Sequence, residues 1–185
     1  MAMKTELLKP NLTNIKKAAE VLKQGGLVIY PTETCYGIGC NPFNKESVEK
    51  ITKIKKRVNA TGYLVLCSNI RQAEKYGNVT KEERELTRSR EPTTIISKRK
   101  EIWPEWIGPD FAFRITSNPI ARKLLKKFEE PIISTSANIA RNPEIYSSRE
   151  AYKIFSGKVD IVLDAGLLHK RKPSRIIKDG KIIRA

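Results

Sequence analysis

Four apolar positions near the start of the chain recur three or four residues apart, which is the spacing of one face of an α-helix. They are Ile15, Ala18, Ala19 and Leu22. Asn11 can cap this helix, and Gly25-Gly26 can end it. The continuous apolar run over residues 27–30 then predicts a buried strand. No period explains residues 31–39, which we interpret as a structured loop.

Helix and strand patterns continue to alternate along the rest of the chain. The predicted helices begin after Asn44, Thr80, Asn118 and Ser147, and Glu83 and Glu150 lie at the capping-box spacing from Thr80 and Ser147. The predicted strands cover residues 63–67, 93–97, 111–115, 132–133 and 159–163. Asp179-Gly180 lies between two isoleucine pairs and predicts a tight β-hairpin, because both residues tolerate positive φ angles.

The order of these elements predicts a single α/β (α+β) domain over residues 1–185. Helices between strands indicate parallel pairs, and the hairpin requires an antiparallel pair, so we expect a mixed sheet. No internal repeat, low-complexity tract or linker rich in Gly, Ser and Pro divides the chain.

Charge and composition narrow the class of protein. The chain has 36 Lys and Arg against 20 Asp and Glu, a formal net charge of +16, which suggests polyanionic partners. Its apolar runs are far shorter than the roughly 18–20 residues of a membrane span, so we expect a soluble protein with no membrane partner. The N-terminus shows no signal sequence, and three scattered cysteines form no disulfide framework. We therefore expect a cytoplasmic location.

Polar, irregular segments follow several of the predicted strands. Two of these segments are Pro-Thr-Glu-Thr at residues 31–34, called the PTET segment, and Ser-Thr-Ser-Ala-Asn at residues 134–138, called the STSAN segment. Hydroxyl, amide and cationic side chains of this kind suit an anionic ligand with several oxygens. The candidates are Thr32, Thr34, Lys55, Arg57, Arg114, Ser134, Thr135, Ser136, Asn138, Ser174 and Arg184. Each segment alone also fits an ordinary turn or a solvated helix end.

Several familiar kinds of site are missing from the sequence. It contains neither a Walker A loop nor a dinucleotide-binding Gly-x-Gly-x-x-Gly motif. His169 is the only histidine and lies in a basic run, so a catalytic triad is not expected. The spacing of Cys35, Cys40, Cys67 and His169 matches no compact zinc motif, and we predict no metal held by the protein itself.

The motifs together resemble the YrdC-like family of threonylcarbamoyl-adenylate synthases, in its short single-domain form. The resemblance runs from about residue 9 to Arg184, and the PTET and STSAN segments, about one hundred residues apart, are its most specific parts. The other carriers are Gly25-Gly26, Tyr36-Gly37-Ile38-Gly39, Lys55-Lys56-Arg57, Phe113-Arg114, Asn118-Pro119, Asp164-Ala165-Gly166, Pro173-Ser174 and Ile183-Arg184.

The resemblance implies a three-layer fold around a twisted mixed sheet. It implies a nucleotidyltransferase that converts L-threonine, bicarbonate and ATP to threonylcarbamoyl-AMP and pyrophosphate, with Mg²⁺ accompanying the ATP. The product would serve threonylcarbamoylation of tRNA through a separate transferase complex.

The resemblance also assigns roles to individual residues. Thr34, Arg114, Ser134 and Ser174 would bind L-threonine. Lys55, Arg57, Thr61, Ser136, Asn138 and Arg184 would bind ATP. Lys55 and Arg57 would be catalytic, because fixed cations allow the carbamate to approach the α-phosphate. We expect Lys55 to be exposed, so that its replacement by alanine leaves thermal stability nearly unchanged.

The chain departs from the family pattern at several positions. Residues 58–63 replace a Pro-containing loop, and the charged Arg90-Glu91 replaces a glycine turn. Leu66 stands where many relatives have a histidine near the threonine site, and Arg175 replaces a threonine. Two other functions therefore stay open. One is a non-catalytic module that binds tRNA or double-stranded RNA through its positive charge; the other is a carbamoyl-transferring domain that does not use threonine.

Overall fold

The structure of the protein is a computed structural model, which describes residues 4–56, 62–139 and 142–185. The strands are β1 (Glu6–Leu8), β2 (Val28–Pro31), β3 (Tyr36–Cys40), β4 (Leu64–Cys67), β5 (Thr93–Lys98), β6 (Asp110–Ile115), β7 (Ile132–Ser136), β8 (Ile161–Leu163), β9 (Arg175–Lys178) and β10 (Lys181–Arg184). The helices are α1 (Leu12–Lys23), α2 (Lys45–Ile54), α3 (Ile70–Tyr76), α4 (Lys81–Leu86), α5 (Pro119–Phe128) and α6 (Ser148–Phe155), with a 3-10 turn at Glu105–Ile107.

These strands form one sheet in the order β1-β8-β2-β3-β7-β4-β6-β5-β9-β10. The pairs β1–β8, β2–β8, β4–β6 and β5–β9 are parallel, and the other neighbours are antiparallel. The predicted mixed sheet is therefore confirmed. The β9–β10 hairpin is also confirmed, since Asp179 and Gly180 have φ angles of 49° and 72°.

Local capping signals place the helix ends where the sequence predicts them. Asn11, Asn44 and Asn118 each accept a backbone N–H in the first turn of their helices. Thr80 and Glu83 form the complete capping box. At Ser147 only half of the predicted box is present, because its hydroxyl accepts from the Glu150 N–H and no reciprocal bond forms.

Two apolar clusters on opposite faces of the sheet make the molecule three-layered. Helices α1 and α5 pack on one face, where Leu22 and Leu124 meet Val28 and Tyr30 of β2. On the other face, residues of α2, α3 and α6 pack against the alternate strand positions and an aromatic group that includes Trp103. Successive residues of a strand point to opposite faces, so β2, β4, β7 and β8 contribute side chains to both clusters.

The structure also corrects the sequence interpretation of residues 31–39. Only residues 32–35 form a turn, and Tyr36–Cys40 is the central strand β3, paired with β2 and β7. All five residues of β3 are buried, so the strand shows no polar alternation. Strand β1 and helix α3 were not predicted either, and both are short. Within the described residues, no helix has the length and apolar character needed to cross a membrane.

We predict that α5 contributes to stability through its buried leucines. Leu124 is fully buried, and Leu124→Ala should lower the free energy of unfolding by about 2–5 kcal/mol, because a cavity replaces the side chain. Leu12→Ala on α1 is the matched control, since Leu12 is 58% exposed and its loss should cost less than about 1 kcal/mol. Urea titrations measure both; equal losses would contradict the packing of α5.

Candidate active site

A cavity of about 410 Å³ lies on the face of the sheet that α1 and α5 cover only in part. These helices pack near β8, β2 and β4, and the cavity occupies the remaining area across β4, β6, β5 and β9. Its floor includes Leu64, Ala112 and Arg114, which share one side of their strands. The opening therefore lies over a rigid sheet, where small-molecule sites commonly form.

The cavity brings together most of the residues predicted for the site. Thr34, Arg114, Ser134 and Ser174 all line it, and so do Ser136 and Arg184. Lys55 and Asn138 are linked to this wall through Ser136, as described below. Arg57 and Thr61, predicted on the ATP side, lie outside the described residues. The cavity wall also contains Cys35, Asp110 and Glu144, which the sequence analysis did not assign to the site.

The PTET segment forms a tight turn between β2 and β3. The Thr32 hydroxyl donates to the Cys35 carbonyl oxygen at 2.7 Å and accepts from the Thr34 N–H at 3.2 Å. The hydroxyl oxygens of Thr32 and Thr34 lie 3.1 Å apart. A Cβ at Gly37 would come within 3.1 Å of Ser134 Oγ, so glycine keeps this part of the cavity open.

A buried ion pair ties this turn to β6. Arg114 Nε lies 2.8 Å from Glu33 Oε1, and the two side chains are only 7% and 5% exposed. The Thr116 hydroxyl donates to the other carboxylate oxygen of Glu33 at 2.6 Å. The sequence placed Glu33 in the PTET segment but gave it no role. Its role is to fix the Arg114 guanidinium at the cavity.

Lys55 joins the end of α2 to the STSAN segment. Its ammonium donates to the Ser136 carbonyl oxygen at 2.5 Å and to Asn138 Oδ1 at 2.6 Å. The Ser136 hydroxyl also donates to Asn138 Oδ1, at 2.7 Å. Lys55 is 3% exposed, so the expectation of an exposed cation is wrong. The C-terminal end of α2 directs the side chain inward, toward acceptors that follow β7.

The C-terminal hairpin closes the opposite side of the cavity. The hydroxyl oxygens of Ser174 and Thr94 form a hydrogen bond of 2.9 Å. Arg184 Nη2 donates to the Ser174 carbonyl oxygen at 2.7 Å, and its Nε donates to the same oxygen at 3.1 Å. Thr94 of β5 and Arg184 of β10 thus hold Ser174 at the cavity.

Two departures from the family pattern contact each other. Arg175 Nε donates to the Thr93 hydroxyl at 2.9 Å, and its Nη2 donates to the Ser89 hydroxyl at 3.0 Å. Arg175 Nη1 also lies 3.4 Å from Glu91 Oε2. The charged segment before β5 is therefore anchored by the arginine next to Ser174. Leu66, by contrast, is fully buried against the α1 and α5 cluster.

The cysteines have the character of neutral thiols. Burial raises the pKa of Cys40 and Cys67, and both side chains lie in the core below the sheet. At the cavity, burial and the Glu144 carboxylate raise the pKa of Cys35 to about 11. Because the thiolate is the nucleophile, these groups are poorly suited to covalent catalysis at neutral pH.

Comparisons with known proteins find one family model and a set of similar proteins. A family model named Sua5_yciO_yrdC, described as telomere recombination, matches residues 20–185. A curated protein of Coxiella burnetii (strain RSA 493 / Nine Mile phase I), named threonylcarbamoyl-AMP synthase, is 33% identical over 180 residues, which cover 92% of this chain and 96% of that protein.

Solved structures are similar over the same region. Sua5 of P. abyssi, in complex with L-threonine, has a TM-score of 0.85 and 27% identity over 98% of this chain and 55% of that one. YciO of E. coli has a TM-score of 0.87 and 24% identity over 98% of this chain and 95% of that one. The three-layer fold expected from the sequence is thereby confirmed.

We predict that Lys55 supports the fold as well as the site. Lys55→Ala leaves the Ser136 carbonyl oxygen and Asn138 Oδ1 without the donated bonds, so the free energy of unfolding should fall by about 1–3 kcal/mol. Lys53→Ala, at an exposed position of α2, should change it by less than about 0.5 kcal/mol. Thermal and urea unfolding compare the two; identical curves would exclude the buried contacts of Lys55.

We predict a smaller stabilising contribution from Arg175. Arg175→Ala removes two hydrogen bonds and one ion pair to residues 89–93, and should lower the free energy of unfolding by about 1–2 kcal/mol. Arg171→Ala, in the exposed loop before β9, is the control of the same residue type. If Arg171→Ala destabilises the protein as much in urea titrations, the effect is general charge removal.

Proposed function

The chain belongs to the Sua5, YciO and YrdC family, and from that membership we propose that it is a threonylcarbamoyl-AMP synthase. The enzyme takes L-threonine, bicarbonate and ATP and releases threonylcarbamoyl-AMP and pyrophosphate. One observation carries the proposal: the PTET turn, Arg114, the STSAN segment and Ser174 surround a single cavity. A protein that only binds RNA has no need of this arrangement.

The reaction joins two anions, and the site has the groups to hold them. The threonine ammonium group loses a proton, and the neutral nitrogen then forms a bond to the bicarbonate carbon with loss of water, giving a carbamate. A carbamate oxygen then attacks the α-phosphorus of ATP, and the bond to the pyrophosphate oxygen breaks. Positioning and fixed positive charge are the main sources of acceleration in such phosphorus chemistry. No side-chain nucleophile is required, which agrees with the neutral thiols of the cavity.

We assign the two substrates to different parts of the wall. Thr34, Ser134 and Ser174 offer hydroxyl groups around the Arg114 guanidinium, a set that suits the carboxylate and hydroxyl of L-threonine. We assign ATP to Lys55, Ser136, Asn138 and Arg184, and the resemblance adds Arg57 and Thr61, which lie outside the described residues. Lys55 orders this region directly, through its bonds to Ser136 and Asn138.

Mg²⁺ is the proposed cofactor and enters with ATP. Among the described residues, no three His, Cys, Asp or Glu side chains cluster as a metal site. Mg²⁺ that enters with ATP is bound chiefly by phosphate oxygens and water, so it needs no such cluster. When bound, the ion neutralises phosphate charge, while Arg114 and Lys55 act on the threonine and nucleotide sides.

The product has a defined use. Threonylcarbamoyl-AMP carries an activated acyl group, and we propose that a separate transferase complex passes this threonylcarbamoyl group to tRNA in the cytoplasm. The enzyme is then a nucleotidyltransferase that makes the activated intermediate, and the transferase complex modifies tRNA in the next step. The net charge of +16 favours direct contact with tRNA or double-stranded RNA. RNA binding, measured at several salt concentrations, examines this second property.

We predict that pyrophosphate release by the purified protein needs ATP, L-threonine and bicarbonate together. Lys55→Ala should lower the rate on the order of 100-fold or more, because a fixed cation beside the nucleotide is lost. Lys53→Ala should keep the wild-type rate. Release is measured with each substrate omitted in turn, below the unfolding temperature of every variant.

Other outcomes lead to other functions. Release with bicarbonate but without threonine would indicate a different carbamoyl acceptor. No release, together with tight binding of double-stranded RNA that weakens steeply with salt, would replace the synthase with an RNA-binding module.

A further inference from the structure

One carboxylate in the wall of the cavity has no assigned role in the proposed reaction. Glu144 lines the cavity together with Thr34, Cys35 and Arg114. Its Oε2 accepts a hydrogen bond of 2.9 Å from the Tyr146 hydroxyl. A negative group is unexpected in a site for ATP and bicarbonate, since both are anions.

The position of Glu144 is fixed by the backbone around it. The Ile145 carbonyl oxygen accepts from the Tyr36 N–H at 2.9 Å, and the Ile145 side chain is buried in the core. The Tyr146 carbonyl oxygen accepts from the Leu168 N–H at 2.8 Å. The segment that carries Glu144 is therefore attached to β3 beside the PTET turn. The backbone hydrogen bonds of Ile145 and Tyr146 therefore fix the position of the neighbouring Glu144.

The charges of the wall differ in how they are balanced. Asp110 pairs with Lys178 at 2.8 Å, and Arg114 pairs with Glu33. In the part of the chain that the structure describes, no Lys or Arg nitrogen lies within 4.0 Å of the Glu144 carboxylate. Glu144 thus has a hydroxyl partner but no described cation of its own.

Cys35, which lines the same cavity, is affected by charges of both signs. Burial is the main cause that raises its pKa, the Glu144 carboxylate raises it further, and Arg114 and Lys55 act in the opposite direction. Cys35 follows Thr34, a proposed threonine ligand. A molecule placed here meets a guanidinium and a carboxylate at once, which is the charge pattern that a free α-amino acid matches.

We propose that Glu144 binds the α-ammonium group of the amino-acid substrate, while Arg114 binds its α-carboxylate. This assignment rests on the proposed function, because L-threonine is the substrate that carries a cation. Glu144 is then a specificity-determining residue: it selects a zwitterionic amino acid over hydroxy acids and over the anions that share the cavity. The other occupant to be tested is Mg²⁺, which also binds single carboxylates.

The test uses two ligands that differ in the ammonium group. L-threonine and 2,3-dihydroxybutyrate, which has a hydroxyl in its place, are titrated calorimetrically into wild type and Glu144→Gln, without ATP or Mg²⁺. We expect Glu144→Gln to weaken threonine binding about tenfold or more, since a charge-assisted bond is lost. Binding of 2,3-dihydroxybutyrate should stay equal or improve.

Controls separate this role from a structural one. Glu144→Asp, which keeps the charge, should retain part of the preference for threonine. Glu150→Gln removes an exposed carboxylate from α6 and should leave both affinities unchanged. Equal weakening of both ligands by Glu144→Gln would show that the residue only supports the loop, and would overturn the proposal.

The remaining outcomes are also distinct. Unchanged threonine affinity, with a higher Mg²⁺ requirement for pyrophosphate release, would assign Glu144 to the metal and overturn the proposal. If wild type binds neither ligand and also releases no pyrophosphate with all three substrates present, the proposed function is wrong, and the role of Glu144 is wrong with it.

Discussion

The ion pair between Glu33 and Arg114 is the contact on which the candidate site depends. It buries two charges that are expensive to remove from water, and their proximity, with the Thr116 hydroxyl on the second oxygen, offsets part of that cost. Removing one partner would leave the other charge buried and unbalanced, at a cost of about 3–5 kcal/mol. The pair also joins the β2–β3 turn to β6, so the hydroxyls of the turn and the guanidinium reach the cavity as one unit.

The sheet explains why this unit is rigid. One face is shared between the α1 and α5 cluster and the cavity, and the opposite face carries the larger apolar cluster. The cavity floor therefore consists of strand residues whose alternate neighbours, such as Phe111 and Phe113, lie in the core. Ligand groups meet side chains that already occupy their positions. For a reaction accelerated mainly by positioning, such order before binding is the principal contribution of the protein.

The sequence predicted the features that depend on neighbouring residues. Asparagine caps, the Thr80 box and the Asp179-Gly180 turn are local, and all three formed as expected. Strand β3 was missed because its two glycines and complete burial remove the alternation that marks a strand. The burial of Lys55 was missed because its acceptors lie 81 and 83 residues away. The same long separation hid the roles of Glu33 and Arg175, whose partners no local pattern identifies.

The hairpin at the edge of the sheet has a consequence for affinity. Strand β10 is the outermost strand, its residues are exposed, and it supplies Arg184, which holds Ser174 at the cavity. Edge elements with little buried surface open locally at a lower free energy than the core does. An opening of the hairpin would move Ser174 and Arg184 away from the cavity, so under the proposed assignment only the closed fraction of molecules would bind. The apparent dissociation constant would then be the intrinsic one divided by that fraction, which would link the local stability of this hairpin to substrate affinity.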